Sequence, residues 1–232
     1  MTEESKKNKK LKWNRHKKVR VVGEQLFFLA VVIFIWQTAY ILGVNVFGIW
    51  KAYAVPSPVG VYHGFIDLMK NGVLLRATGQ SILRGIIGYL IAMGLGGLLG
   101  FLMNHFDYLN RNMRPLIMGI QALPSICWVP FSILWFGLTP KAIIFVVVMG
   151  SAFSMAIAVN NAIRNIPPIY KKAALTMGAK KWQIYWKVIV PASIPEIISA
   201  LKQGWSFAWR ALMSGEVMTA CIGLGQTLMT GR

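Results

Sequence analysis

Acidic residues are scarce in this chain: seven Asp and Glu stand against 25 Lys and Arg in 232 residues. Chemistry that needs paired carboxylates or a metal cluster has little to draw on. The three histidines, His16, His63 and His105, are isolated, and none is assigned as a ligand. The two cysteines, Cys127 and Cys221, lie far apart in apolar surroundings. That excludes a disulfide framework and a thiolate metal site. No GxxxxGK(S/T) phosphate loop is present, so the chain is not expected to hold ATP itself. Charged residues of both signs make up only 14%, too few for the surface of a soluble domain of this length. The alternating pattern of a membrane β-barrel is missing too.

What is there instead is apolar sequence in long runs. Hydrophobic residues make up 56% of the chain and mean hydropathy is +0.54. A helix crosses a bilayer in roughly 20 apolar residues. Spans are expected at about 24–43, 78–103, 114–137, 141–160 and 194–221. The fold class is all-α, a polytopic transmembrane helical bundle with about five spans. Before the first span lies a basic tail, residues 1–22, with nine Lys and Arg in its first 20 positions. Such a tail ahead of an apolar run reads as a topology signal and a contact for anionic membrane lipid. Nucleic acid is not expected, because no base-stacking or base-reading motif accompanies the charge.

Local signals refine this outline. Ser57 followed by Pro58 is a helix start, and the amphipathic segment Pro58 to Lys70 is expected to lie along the membrane surface. Span two carries Gly85, Gly88, Gly94, Gly96, Gly97 and Gly100, a face for close helix packing. Arg84 sits about two turns inside that span and can snorkel to the interface. Pro124 and Pro130 each remove a helix hydrogen bond, which predicts a kinked third span, either beside a pathway or as a plain kink with no transport role. With alternating spans, seventeen Lys and Arg fall on the side of the N-terminus and five on the other. The positive-inside rule puts the N-terminus in the cytoplasm of a multi-pass cell-membrane protein.

The stretch "KKAALTMGAKKWQIYWKVIVP", residues 171–191, lies between two apolar runs. Asn165 can cap a helix that starts at Pro167 and Pro168 and runs to about Met177. Gly178 is placed to take the left-handed conformation that ends it. A second amphipathic helix is expected to run to about Val190 and to stop at Pro191. The segment 165–191 is thus a helical hairpin, on the cytoplasmic side by the charge count.

This stretch resembles the EAA loop of ABC importer permeases: Glu-Ala-Ala, three residues, Gly, nine residues, then Ile-x-Leu-Pro. Ala173 and Ala174 match the alanines, and Gly178 follows after three residues. After nine more come Val188, Ile189, Val190 and Pro191. Lys172 stands where the pattern has its acidic residue. The stretches "SILRGIIGYLIAMGLGGLLG", "RPLIMGIQALPSICWVPFSILWFGLTPK" and "AWRALMSGEVM" are similar to the permease branch for nitrate, sulfonates, taurine and related solutes. The likeness covers about Val55 to Arg232. It implies a type I importer permease domain over residues 23–232. It further implies a permease homodimer, an ABC ATPase subunit under each copy and an extracytoplasmic solute-binding protein. The hairpin would dock on the ATPase, and ATP and Mg would sit on that partner, with no cofactor on this chain. Members usually have a sixth span after the equivalent of "GLGQTLMTGR"; the sequence stops at Arg232, so that span is expected to be missing here.

Two ionisable residues stand deep in the fifth span, Arg210 and Glu216. Each costs at least about 2.5–3.5 kcal/mol there unless it has a partner or water. Six positions at 100° each leave about 240° between their faces, so they do not pair within one helix. Both are candidates for the solute pathway, with Arg210 attracting an anionic solute such as nitrate, sulfonate or taurine. Structural anchoring by neighbouring spans is the plainer alternative. A membrane enzyme is the competing class, and it would need a Ser/His pair, paired Asp or a metal cluster inside the spans. Ser151 and Ser154 lie in span four, but no His lies in any expected span. A membrane scaffold that moves no solute is the third reading, marked by the lack of an associated ATPase.

Overall fold

The computed structural model describes residues 3–50 and 55–230, and the chain forms two compact units, Met1–Asn71 and Gly72–Arg232. In the first unit, helix α1 (Glu3–Tyr40) runs into a π turn at Ile41–Val46, closed by the Phe47 N–H on the Leu42 carbonyl at 2.9 Å. Its part Val21–Val44 is long and apolar enough to cross a membrane. Phe27, Phe28 and Phe34 stand exposed along it, as on a helix solvated by lipid tails. Helix α2 (Pro58–Lys70) begins as the sequence predicts, with the Ser57 hydroxyl accepting from the Gly60 N–H at 3.0 Å.

The second unit is built on α6 (Pro140–Arg164), which packs between α3 (Val73–His105) and α9 (Val190–Thr219). Ile143 and Val147 of α6 meet Ala208 and Leu212 of α9, and Ala152 and Met155 meet Ala92 of α3. Without a hydrophobic drive between helices in lipid, such contacts depend on close approach. The buried stripe of α3 supplies it: Ala77, Ser81, Gly85, Gly88, Ala92, Gly96 and Gly100 recur three or four apart. At Gly96 and Gly100 a Cβ would lie 2.5 Å from the carbonyl oxygens of Ala152 and Ala156. Gly94 and Gly97, read from sequence as part of the same face, have nothing within 4 Å of that position. Their spacing puts them off the stripe.

The third apolar region starts earlier than expected, at α4 (Asp107–Gln121). A 3-10 turn (Ser125–Cys127) and α5 (Trp128–Phe136) follow, and the two arms bend by 88°. This is an elbow rather than a kink. Pro124 makes it by standing immediately before the 3-10 turn. Pro130 breaks nothing, because it lies in the first turn of α5, where its missing N–H has no partner to lose. The start of α4 is tied to the end of α6 by an Asp107–Arg164 ion pair and by the Asn160 amide donating to Asn110 Oδ1 at 2.7 Å.

Two further expectations need correction. Asn165 closes α6, its N–H on the Asn161 carbonyl, and Pro167 is the cap of α7 (Pro168–Thr176). Pro191 does not stop a helix. From α8 (Lys181–Ile184) the chain passes through a π turn, Tyr185–Ile189, straight into α9. The Val190 N–H reaches back five residues to the Tyr185 carbonyl. That widened turn precedes a residue with no N–H to give, so the helix carries the proline on. Among the described residues, four helical stretches are long and apolar enough to span a membrane, and the elbow pair makes a fifth.

Candidate functional site

The elbow encloses one side of a cavity of about 280 Å³. Gln121, Ala122, Leu123 and Pro124 form its irregular wall, with Trp128 beyond them. Met149, Phe153 and Ser154 come from α6, and Phe207 and Arg210 from α9. Irregular backbone within a span persists where protein covers it or where it lines a cavity, and here it lines one. Arg210 is the one ionisable group among the described lining residues. Its guanidinium lies 5.6 Å from the centre of the Phe207 ring, a cation–π contact. No carboxylate pairs with it among the described residues.

Glu216, the other candidate, stands elsewhere. It is fully buried. Its carboxylate accepts from the Ser81 hydroxyl at 2.8 and 2.7 Å, from Arg84 Nη1 at 3.2 Å and from the Gly225 N–H at 3.1 Å. Arg84 Nη1 also donates to the Ile222 carbonyl at 2.9 Å, and Ser81 accepts from the Leu224 N–H at 2.9 Å. Arg84 therefore does not snorkel; with 7% exposure it is held inside by a carboxylate and a carbonyl. This knot ties α3, the end of α9 and the start of α10 (Leu224–Thr230) together across Ala220, a non-glycine residue at φ 52°. Sequence reading identified Glu216 but not Ser81 or Arg84 as its partners.

The hairpin is the third element. α7 ends at Gly178, whose φ of +78° is the left-handed conformation expected of it. The Gly178 N–H reaches the Leu175 carbonyl at 3.0 Å and the Ala179 N–H reaches the Ala174 carbonyl at 3.1 Å. These are the two bonds of a Schellman motif. The Gln183 side chain then accepts from the Lys180 N–H at 2.9 Å, at the start of α8. Ala174 is buried, while Lys172 and Ala173 are exposed. Val188 and Val190 are half-buried and Pro191 is exposed, all in the stretch that leads into α9. Ile169, Leu175, Met177 and Trp182 stand exposed around the turn, with Met177 at 85%.

A bundle of apolar helices around a broken span, with a small cavity at the break, is the architecture of a polytopic helical membrane protein. The family model for the binding-protein-dependent transport system inner membrane component matches residues 92–232. The chain belongs to this family, and it is an ABC importer permease. An ABC transporter permease protein of Methanocaldococcus jannaschii is 34% identical over 72% of this chain, which spans 63% of that relative, less than two thirds of its length. An Escherichia coli permease protein named for aliphatic sulfonates transport is 30% identical over 89% of this chain and 77% of its own. Among solved structures, an inward-facing methionine ABC transporter superposes with a TM-score of 0.59 at 22% identity. That match covers 68% of this chain and 80% of the other, and it shows the shared fold.

Proposed function

We propose that this permease forms the path of a small anionic solute and draws its energy from a separate ABC ATPase subunit docked on the 165–191 hairpin. The observation that carries the reading is the hairpin itself. A left-handed glycine sets two short helices at a fixed angle, and an apolar set, Ile169, Leu175, Met177 and Trp182, projects from it. Exposed apolar clusters beside basic residues suit a partner protein rather than water. Lys172, Ala173, Ala174, Gly178, Val188, Val190 and Pro191 make up the matching pattern, with Lys172 removing the acidic contact. Arg210 supports an anionic cargo, as does the name of the sulfonate relative. Glu216, held in the knot, anchors helices in this reading rather than meeting the solute.

The working unit is a homodimer in the cell membrane. An extracytoplasmic binding protein delivers the solute, and ATP and Mg stay on the ATPase. Seventeen of the flanking basic residues then face the cytoplasm, the N-terminal tail among them. The test is purification of the full chain from its own membranes, joined with single-cysteine labelling at position 181. Retention of an ATPase subunit is expected, with labelling only after the membrane is opened. Labelling by an impermeant reagent in intact cells would remove the hairpin from the ATPase side.

A further inference from the structure

Where two apolar stretches end side by side, the fold leaves a groove of about 440 Å³. His105 is the last residue of α3, and Lys181 is the first of the stretch Lys181–Thr219. Phe101 and His105 form one wall of the groove, and Lys181, Trp182, Tyr185 and Trp186 form the other. The rings pack on one another: Trp182 on Trp186 at 5.3 Å between centroids, Tyr185 on Trp186 at 5.9 Å and Phe101 on Tyr185 at 6.1 Å. Trp182 nevertheless stays 71% exposed and Trp186 44%. Trp182 borders the apolar set around Gly178, and Trp186 lies one turn further toward α9. Exposed indoles at the end of a membrane span suit the headgroup level of a bilayer, where an apolar ring and a polar N–H are both satisfied.

Charge decides what the groove takes. Lys181 and His105 are its basic groups, and no Asp or Glu stands with them among the described lining residues. Lys181 has no ion pair among the described residues. The Tyr185 hydroxyl is occupied, donating to Asn104 Oδ1 at 3.4 Å, and the carboxylate of Asp107 is taken by Arg164. Lys180 and Lys187 add positive charge on either side. A small soluble anion would leave the indoles bare, and a zwitterionic headgroup would bring a second cation to Lys181. Basic pockets at the ends of membrane helices match anionic headgroups, whose acyl chains cover apolar surface at the same time. We infer that this groove is a binding site for one anionic phospholipid. Its phosphate oxygens accept from the Lys181 ammonium and the His105 ring N–H, and the upper part of an acyl chain lies on Phe101, Trp182 and Trp186. The site is separate from the basic tail of residues 1–22. It requires a membrane chain, which the family establishes, and neither a particular solute nor a docked ATPase.

The experiment titrates the full chain in mild detergent with phosphatidylglycerol or with phosphatidylcholine of the same acyl chains, and reads bound lipid by native mass spectrometry. Phosphatidylglycerol should bind the more tightly. Lys181→Gln should weaken its binding about tenfold, the worth of one hydrogen bond to a charged group, and leave phosphatidylcholine unchanged. Lys187→Gln, on the same stretch but outside the groove, should change either by less than about twofold, as a screened surface charge does. Equal binding of the two lipids, no loss in Lys181→Gln, or equal losses in the two variants would overturn the site. A photoreactive benzoylphenylalanine in place of Trp186, irradiated in the chain's own membranes, should gain the mass of a phospholipid. Adducts with protein alone would overturn the inference and give the groove to a partner protein.

Discussion

Arg210 and Glu216 lie on one helix, six positions apart, and the fold treats them in opposite ways. Glu216 has both oxygens answered: a hydroxyl, a guanidinium and a backbone N–H converge on it with no exposed surface left. Arg210 has only the face of an aromatic ring. A buried charge whose partners are all internal is fixed, because any motion must break several bonds at once. A charge left open at a cavity is available to something that comes and goes. In the reading proposed above, the two positions separate architecture from transport along a single helix.

The sharpest way to break the comparison is to remove the carboxylate of the knot. Glu216→Ala leaves Arg84 buried without its counter-charge and strips Ser81 and the Gly225 N–H of their acceptor. Breaking a buried pair from one side costs about 3–5 kcal/mol. Thermal unfolding in detergent should show the largest loss of any variant here. The double variant Arg84→Met/Glu216→Leu should recover much of it, since neither charge is then stranded. A melting curve for Glu216→Ala that matches the parent would mean that the knot holds nothing together.

Next in size is the contact between α3 and α6. Gly96→Val sets a side chain against the Ala152 carbonyl oxygen, a backbone atom that cannot rotate away. Overpacking of this kind costs about 1–3 kcal/mol. Gly97→Ala is the matched control, with open space at its Cβ position, and helix propensity alone should make it neutral or slightly stabilising. Equal melting temperatures for the two variants would dissolve the packing stripe. Gly178→Val follows, with about 1–2 kcal/mol of left-handed strain. Its unfolding should change little beyond that, while ATPase retention on purification falls several-fold. Full retention would make the hairpin a mere connector.

The spans and the hairpin turn were legible because their signals are local. Twenty apolar residues in a row and a glycine between two short amphipathic stretches need no knowledge of distant sequence. The elbow was half legible: Pro124 announces a break, but the 88° depends on how α5 packs against α6, where Val129 meets Val146. Pro191 misled because the rule that proline ends a helix omits the π turn that lets one continue. The Arg84–Glu216 pair was invisible, its members 132 positions apart in sequence. Gly94 and Gly97 were grouped with the packing glycines by composition, and only the helical phase separates them.

The smallest expected change in stability belongs to Arg210→Gln, and that smallness is the point. Arg210 makes no ion pair among the described residues, and its cation–π contact at an exposed position is worth about 0.5–1 kcal/mol. Glutamine keeps the polarity and most of the stem, so unfolding should shift by about 0.5 kcal/mol or less. Function should change far more. In proteoliposomes with the ATPase and binding protein present, the variant should assemble and hydrolyse ATP, yet carry little anionic solute. Arg210→Lys should keep part of the transport, because an ammonium supplies charge without the guanidinium fork. Ligand binding by the external binding protein should be the same in all three preparations, since the cavity plays no part in it. A large loss of stability in Arg210→Gln would move this residue to the side of Glu216, and normal transport would take it out of the anion path.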